Sequence, residues 1–273
     1  MPELDLNKLA QRLNPRDFGE HMQPVVHRLI QFQDPRDLDS LFELAVNHKD
    51  FRARHEAEDA IYKLSEFPEF IDLLVRRLSE TSSIEQKELM SRVLRNIKDP
   101  LVVDALVAVS EKHWTNFRLH ESAVWALLNS DYARAEEFCR RAKVNIVVAD
   151  DEPGILDIMS FTFMFAGLRV LSANNGEIAY KFAKVSRPDL VLLDIRMPRM
   201  NGYEACRRLK TDSDTQDIPV VLISAKGQES EIEAGLKAGA VEYIVKPFAP
   251  DQLAGRIKSI IRKSQLGVYN DRK

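Results

Sequence analysis

Four short apolar runs, rich in β-branched residues, restrict the fold of this chain more than any other feature. They are Val144–Ala149, Leu190–Leu193, Val220–Ile223 and Val241–Val245. Runs this apolar suit strands that are buried on both faces of a parallel sheet. Amphipathic segments lie between them and suit crossover helices. We therefore expect the C-terminal half of the chain to form an open α/β sheet.

Polar side chains follow these strands at the points where they end. Asp150 and Asp151 come after the first strand, and Asp194, Ser224 and Lys246 end the third, fourth and fifth predicted strands. Ligands bind outside the carboxyl ends of parallel strands, which meet at one edge of the sheet. We therefore expect the five residues to lie together, and a purely structural sheet would not require them there.

The expected cluster has the composition of a phosphoryl-transfer site. Neighbouring carboxylates repel one another and favour a hard divalent cation with oxygen ligands, of which Mg²⁺ fits best. Asp194 can attack a phosphoryl group and form an acyl phosphate. Lys246 and Ser224 can stabilise the phosphoryl oxygens by charge and by hydrogen bonding. These residues predict a phosphoacceptor aspartate, Asp194, beside a magnesium site.

Residues 144–263 resemble the receiver domain of bacterial response regulators. The matching motifs are the pair Asp150–Asp151, the loop with Asp194, Met197, Pro198 and Gly202, and the dipeptides Ser224–Ala225 and Lys246–Pro247. The resemblance implies a flavodoxin-like, doubly wound sheet of five parallel strands in the order 2-1-3-4-5. It also implies a cis Lys246–Pro247 bond.

The same resemblance implies a cofactor and a phosphoryl donor. Mg²⁺ would be bound by Asp150, Asp151, Asp194 and the backbone carbonyl of Arg196. The donor would be a histidine kinase or a histidine phosphotransfer protein of a bacterial two-component system or phosphorelay. A homodimer formed through the receiver domain is a further expectation.

The resemblance also assigns a switch and two tuning positions. The phosphoryl group would draw the Ser224 hydroxyl inward, and the ring of Tyr243, three residues before the lysine, would follow. Arg196 and Lys226 occupy positions that tune dephosphorylation in this family, and two basic side chains there could shield the phosphoryl group. Simpler interpretations stay open, namely a strand-edge aromatic for Tyr243 and solvated side chains for Arg196 and Lys226.

The N-terminal half shows helical periodicity and a weak internal repeat. Related positions follow one another at intervals of 33 residues: Phe51, Ile84 and Phe117, and likewise Ala57, Met90 and Ala123. Helical units of this kind cannot bury their apolar faces alone, so stacking would supply the core. The spacing resembles a HEAT-type helical repeat, and an irregular helical bundle is the alternative.

These two patterns divide the chain of 273 residues into two domains, which agrees with its length. We predict an all-α, HEAT-like helical domain over residues 1–142 and a receiver domain over residues 143–273. No linker rich in glycine, serine or proline separates them. Docked or semi-rigid domains are therefore expected.

The amino-acid composition excludes several classes of protein. The hydrophobic share of 45% is too high for a disordered chain, and a net charge of −3 gives no global case for nucleic acid as a partner. The most apolar stretch, Phe161–Leu168, is too short to span a bilayer, and the first residues do not read as a signal peptide. We expect a cytoplasmic protein in which Cys139 and Cys206 are reduced thiols.

The helical half contains no metal motif, no phosphate-binding glycine loop and no evident catalytic set. Its simplest role is to bind an output protein, whose identity the sequence does not give. Two alternatives stay open, an unrecognised enzymatic module such as a phosphatase and a nucleic-acid-binding module. The receiver would promote its own phosphoryl transfer and dephosphorylation, and no separate enzymatic output is predicted.

Overall fold

The computed structural model describes residues 16, 18–20, 22–32, 35–113, 115–225 and 227–268. Within these residues the chain forms two compact units and passes from the first to the second between Lys112 and His113. None of the helices described there combines the length and the apolar character needed to cross a membrane.

The N-terminal unit is built from helices in its described part. They are α1 (Gln23–Phe32), α2 (Pro35–Asn47), α3 (Phe51–Leu64), α4 (Pro68–Glu80), α5 (Ile84–Leu94) and α6 (Pro100–Lys112). Prolines begin α2, α4 and α6, a position where proline is favoured because its missing N–H would have no intrahelical partner. The Asp50 and Ser83 side chains cap α3 and α5 by accepting hydrogen bonds from backbone N–H groups in the first turns.

The starts of the helices follow the interval found in the sequence. Helix α3 begins at Phe51, α5 begins at Ile84, and the next helix after α6 begins at Phe117. The second set of related positions, Ala57, Met90 and Ala123, is buried throughout. The interval therefore corresponds to pairs of helices, while their assignment to the HEAT type stays a prediction.

The C-terminal unit contains a parallel sheet with its crossover helices. Its elements are α7 (Phe117–Ser130), α8 (Tyr132–Ala142), β1 (Ile146–Ala149), α9 (Pro153–Phe165), β2 (Val170–Ala173), α10 (Gly176–Ser186), β3 (Leu190–Asp194), α11 (Gly202–Thr211), β4 (Val220–Ser224), α12 (Glu229–Lys237), β5 (Glu242–Val245) and α13 (Pro250–Gln265). The five strands lie in the order β2-β1-β3-β4-β5, and all neighbours are parallel. The predicted fold class, helical N-terminal region plus flavodoxin-like sheet, is confirmed.

One face of the sheet packs against α9 and α13. Ile146 and Val148 of β1 form a buried cluster with Phe163 of α9 and Ile257 of α13. Alternate residues of a strand point to the same face, which is why two residues of β1 enter one cluster. Phe117, the first residue of α7, belongs to the same cluster. Helix α7 therefore shares the apolar core of the sheet.

Helices α7 and α8 pack within the C-terminal unit, whereas the sequence analysis grouped them with the helical domain. Helix α7 contacts β2, and α8 contacts α10. Trp125 of α7 lies edge-on to Phe182 of α10, with ring centroids 6.1 Å apart. The physical reason is that β2 is an edge strand of the sheet, and α7 covers it. The division into functional domains at residues 142 and 143 stays a prediction.

Both cysteines are free thiols inside the C-terminal unit. Burial raises the pKa of Cys139 to about 12 and the pKa of Cys206 to about 11. The thiolate is the nucleophilic form of cysteine, so both side chains are expected to be unreactive at neutral pH.

Replacing Phe117 tests whether α7 belongs to the core of the sheet. Phe117→Ala should destabilise the C-terminal unit by about 3 kcal/mol or more, because the ring is 6% exposed and its loss leaves a cavity. Urea unfolding followed by tryptophan fluorescence reports on this unit, since Trp114 and Trp125 both follow residue 112.

The matched control is Phe51→Ala, the same substitution at the related position of the repeat. Phe51 is 70% exposed and lies in the N-terminal unit, so its loss should change the free energy of unfolding of the C-terminal unit by no more than about 0.5 kcal/mol. Equal effects of the two substitutions would show that Phe117 does not pack in the core.

Candidate functional site

Four of the predicted polar residues meet at one edge of the sheet. Asp194 and Ser224 end β3 and β4, while Asp150 and Lys246 directly follow β1 and β5. The bond between Lys246 and Pro247 is cis, as the resemblance implies. The parallel register therefore brings together side chains that are up to 96 residues apart in sequence.

Lys246 bridges two buried carboxylates. Its Nζ lies 2.7 Å from Oδ2 of Asp150 and 2.6 Å from Oδ1 of Asp194. The exposed fractions of these two aspartates are only 1% and 7%. Buried charges are costly unless they are paired, and one ammonium shared by two carboxylates leaves a negative charge unbalanced. The site therefore favours a further cation.

Backbone N–H groups hold the other oxygen of each carboxylate. The N–H of Glu152 donates to Oδ1 of Asp150 over 2.9 Å, and the N–H of Arg196 donates to Oδ2 of Asp194 over 2.6 Å. Each carboxylate offers about four acceptor sites. Both groups are therefore oriented by hydrogen bonds and still have lone pairs available.

Burial dominates the electrostatics of Asp194. It raises the pKa of the Asp194 carboxyl above its usual value, and the hydrogen bond from Lys246 offsets this only in part. Burial alone would lower the pKa of Lys246, but its hydrogen bonds to Asp150 and Asp194 outweigh that effect and raise it. The ammonium is thus held in its charged form, whereas a charged Asp194 is disfavoured where it stands.

The remaining predicted residues differ in placement. Ser224 and Tyr243 are buried, while Asp151 and Arg196 are exposed at the rim of the site. Lys226 lies outside the residues that the structure describes. The sequence therefore named both the buried and the exposed residues of the site, but it did not indicate which side chains are buried and which are exposed.

The donors present fit Mg²⁺. Among the described residues, no three His, Cys, Asp or Glu side chains are grouped closely enough to hold a metal ion by themselves. Mg²⁺ does not need such a group, because it usually binds through one or two carboxylates and keeps several waters. Asp150 and Asp194 supply oxygen ligands and an excess of negative charge.

Two glycines support the loop that follows β3. A Cβ atom on Gly202 would collide with the backbone carbonyl of Asp194, and one on Gly176 would collide with the carbonyl of Met200. Arg199 in this loop has φ 65°, in the left-handed region that side chains rarely adopt. Sequence reasoning found Gly202 but missed Gly176 and Arg199, although the Asn175–Gly176 dipeptide was an available turn signal.

A second aromatic beside Tyr243 was also missed. The Tyr203 hydroxyl donates to the carbonyl of Glu231 over 3.2 Å. Burial, and then the charge interaction and hydrogen bond with Tyr243, raise the pKa of Tyr203 to about 12. A Cβ atom on Gly235 would lie 2.9 Å from the Tyr243 ring, so this ring has little free space on that side.

Comparisons with known proteins place the site in a family. The family described as the response regulator receiver domain matches residues 146–258. The chain is 39% identical over 122 residues to the phosphate regulon transcriptional regulatory protein PhoB of Pseudomonas aeruginosa, covering 45% of this chain and 53% of that protein. It is 35% identical over 121 residues to the alkaline phosphatase synthesis transcriptional regulatory protein PhoP of Bacillus subtilis, covering 44% and 50%. The chain spans about half the length of the curated relatives it matches.

Solved structures are similar to the same share of the chain. One is the signal receiver domain of a signal transduction histidine kinase from Syntrophus aciditrophicus, with 30% identity, 44% of this chain and 90% of that chain covered, and a TM-score of 0.41. Another is the receiver domain of the Francisella response regulator 1452. It is 26% identical, the match covers 44% of this chain and 98% of that chain, and the TM-score is 0.42.

Removing the Asp194 charge should stabilise the C-terminal unit. An acid whose pKa is raised by folding binds its proton more tightly in the folded state, so its charged form costs stability above the ordinary carboxyl pKa near 4. Asp194→Asn should therefore raise the free energy of unfolding at pH 7. The gain should shrink as the pH falls toward about 4.

Urea unfolding at several pH values measures this effect. Asp151→Asn is the matched control, because its exposed carboxylate is solvated and should give a smaller gain. A loss of stability in Asp194→Asn at pH 7 would contradict the electrostatic account of the site.

Proposed function

Residues 146–258 are a response regulator receiver domain of two-component signalling, and on this premise we propose that Asp194 accepts a phosphoryl group. The observation that carries the proposal is Lys246 bridging the buried carboxylates of Asp150 and Asp194. The proposed donor is a histidine kinase or a histidine phosphotransfer protein. The cytoplasmic location stays a prediction from the sequence.

Asp194 is the proposed nucleophile. Its carboxylate oxygen attacks the phosphorus of a phosphohistidine, a phosphorus–oxygen bond forms, and the phosphorus–nitrogen bond to the donor breaks. Lys246 Nζ, already 2.6 Å from Asp194, is placed to neutralise phosphoryl oxygens. The Ser224 hydroxyl donates to another phosphoryl oxygen. Positioning and charge neutralisation are thus the contributions of the chain.

Mg²⁺ is the proposed cofactor. Its ligands would be the carboxylates of Asp150, Asp151 and Asp194 and the backbone carbonyl of Arg196. When bound, it supplies neutralisation of charge between the attacking carboxylate and the incoming phosphoryl group. The support is the all-oxygen donor set and the negative charge that Lys246 leaves unbalanced.

Ser224 and Tyr243 form the proposed switch. Ser224 ends β4, and Tyr243 is buried in the neighbouring strand β5 with Tyr203 beside it. Movement of the hydroxyl toward a phosphoryl group changes the space available to the ring and thereby biases the position of β5. The surface formed by α12, β5 and α13 would then change on phosphorylation, and it is the proposed interface of a receiver homodimer.

The N-terminal helical unit is the proposed output module, and it binds an unidentified protein. Helices α2 and α4 border a cleft of about 990 Å³ whose charged lining includes Asp39, Glu43, Arg76 and Arg77. Mixed charge favours a protein partner over nucleic acid, which requires a strongly basic surface. An enzymatic output such as a phosphatase is the other candidate. If the immobilised chain retained nucleic acid in a salt-sensitive way, nucleic acid would be favoured over a protein as the partner of this unit.

Beryllofluoride with Mg²⁺ mimics the acyl phosphate and tests the site directly. Wild type should bind it in isothermal titration calorimetry and change its mass or elution volume in size-exclusion chromatography with light scattering. Asp194→Asn should do neither, because it lacks the accepting carboxylate. Tyr243→Ala should bind beryllofluoride yet lose the change in size, since the ring is the proposed link.

Three outcomes decide between the parts of this proposal. Absence of beryllofluoride binding by the wild type would refute the phosphoacceptor assignment. Binding without any change in size would show that the signal is read by a partner rather than by dimerisation. A size change that persists in Tyr243→Ala would remove this tyrosine from the switch.

Arg196 is proposed to lengthen the life of the phosphoryl group. Its exposed guanidinium stands two residues after Asp194 and can shield the phosphoryl group from water. Arg196→Ala should shorten the half-life of the acyl phosphate roughly threefold, the effect of a surface charge worth under about 1 kcal/mol. The decay is measured on phosphate-affinity gels after the donor is removed.

Arg199→Ala is the matched control, because it removes an exposed arginine from the same loop at a greater sequence distance from Asp194. Lys226→Ala extends the test to Lys226, the second residue expected to influence the rate of dephosphorylation. Equal half-lives in the wild type and Arg196→Ala would leave Arg196 as a solvated side chain.

A further inference from the structure

The compact unit that holds the site is larger than the family match. The match begins at residue 146, whereas the unit begins at His113. Helices α7 and α8 thus lie in the same compact unit as the site and outside the residues that match the family. Helix α7 contacts β2, the edge strand beside β1, and Asp150 directly follows β1.

Glu121 of α7 holds a buried hydroxyl of β2. The Ser172 hydroxyl donates to the Glu121 carboxylate, with Oγ and Oε2 2.7 Å apart. Ser172 is 2% exposed, so water does not readily replace this acceptor. A hydrogen bond to a charged acceptor is stronger than one between neutral groups. Glu121 therefore ties the carboxyl end of β2 to α7.

The next residue of β2 holds the main chain of Asp150. The carbonyl of Ala173 accepts a hydrogen bond from the N–H of Asp150 over 3.1 Å. The carboxylate of Asp150 is in turn 2.7 Å from Lys246 Nζ. A continuous path of hydrogen bonds and one peptide link therefore joins Glu121 to the centre of the site.

Helix α7 also contacts the helix that follows Asp150. Arg118 and Asp157 of α9 form an ion pair, with Nη2 and Oδ2 2.7 Å apart. The Phe117 ring lies edge-on to Phe161, with centroids 5.4 Å apart. Helix α7 thus touches α9, which follows the Asp150 turn, and β2, whose Ala173 carbonyl accepts a hydrogen bond from Asp150.

We propose that Glu121 is a positioning residue for phosphoryl transfer, acting through Ser172 and β2 on Asp150. The inference rests on the proposed phosphoacceptor function. Without the Glu121 acceptor, the end of β2 is free to shift, and the Asp150 carboxylate shifts with it relative to Lys246. Displacements of about 1 Å at a reacting centre lower rates strongly. Because coupling is reciprocal, occupancy of the site also changes the stability of α7.

Phosphorylation of the full-length chain by acetyl phosphate tests the role of Glu121. Glu121→Ala should react about tenfold more slowly than the wild type at a temperature where both are folded. Glu121→Gln should recover most of the rate, because its amide oxygen still accepts from Ser172. Hydrogen exchange should be faster at residues 170–173 and at Asp150 in Glu121→Ala than in the wild type.

Trp125→Phe separates positioning from stability. It weakens the contact with Phe182 on the same helix, so it should lower the melting temperature without slowing phosphorylation. A wild-type rate in Glu121→Ala, or a Glu121→Gln variant as slow as Glu121→Ala, would overturn the role of Glu121. A wild type as inert as Asp194→Asn would instead refute the phosphoacceptor function itself.

Discussion

The ammonium of Lys246, shared by two carboxylates, constrains the geometry of the whole sheet in the C-terminal unit. It lies within 2.7 Å of carboxylates from the ends of two other strands. The three side chains can meet only if β1, β3 and β5 end at the same level of the sheet. The parallel register of β1, β3, β4 and β5 meets this requirement. The charge arrangement of the site is therefore a constraint on the whole sheet.

This arrangement lowers the stability of the C-terminal unit. Asp194 is buried where its charged form is disfavoured, and Asp150 beside it adds repulsion. Such a site persists because the apolar layers around it, with Ile146, Val148 and Phe163 fully buried, supply the stability that it lacks. The proposed phosphoacceptor carboxylate would therefore gain from a cation that offsets the repulsion from Asp150.

The site could be predicted from the sequence because buried parallel strands are short apolar runs, and the residues that end them are easily read. Asp150, Asp194, Ser224 and Lys246 were found in this way. Strand β2 was not among the apolar runs, since Val170–Ala173 is short and contains Ser172. The hydroxyl of that serine is satisfied by Glu121, 51 residues earlier in the chain. Local patterns do not reveal a partner at that distance.

The 33-residue interval shows a related limit. Residues at this interval begin helices in the structure, but the interval treated Phe51 and Phe117 as equivalent, although one is exposed and the other lies in the core of the sheet. Periodicity indicates which face of a helix is apolar and not what covers that face. Because β2 is an edge strand, a helix from outside the residues that match the family can cover it and join the same compact unit. Helix α7 therefore supports β2, whose Ala173 carbonyl accepts a hydrogen bond from the N–H of Asp150. Under the proposed role of Glu121, a change at the site would alter the stability of α7.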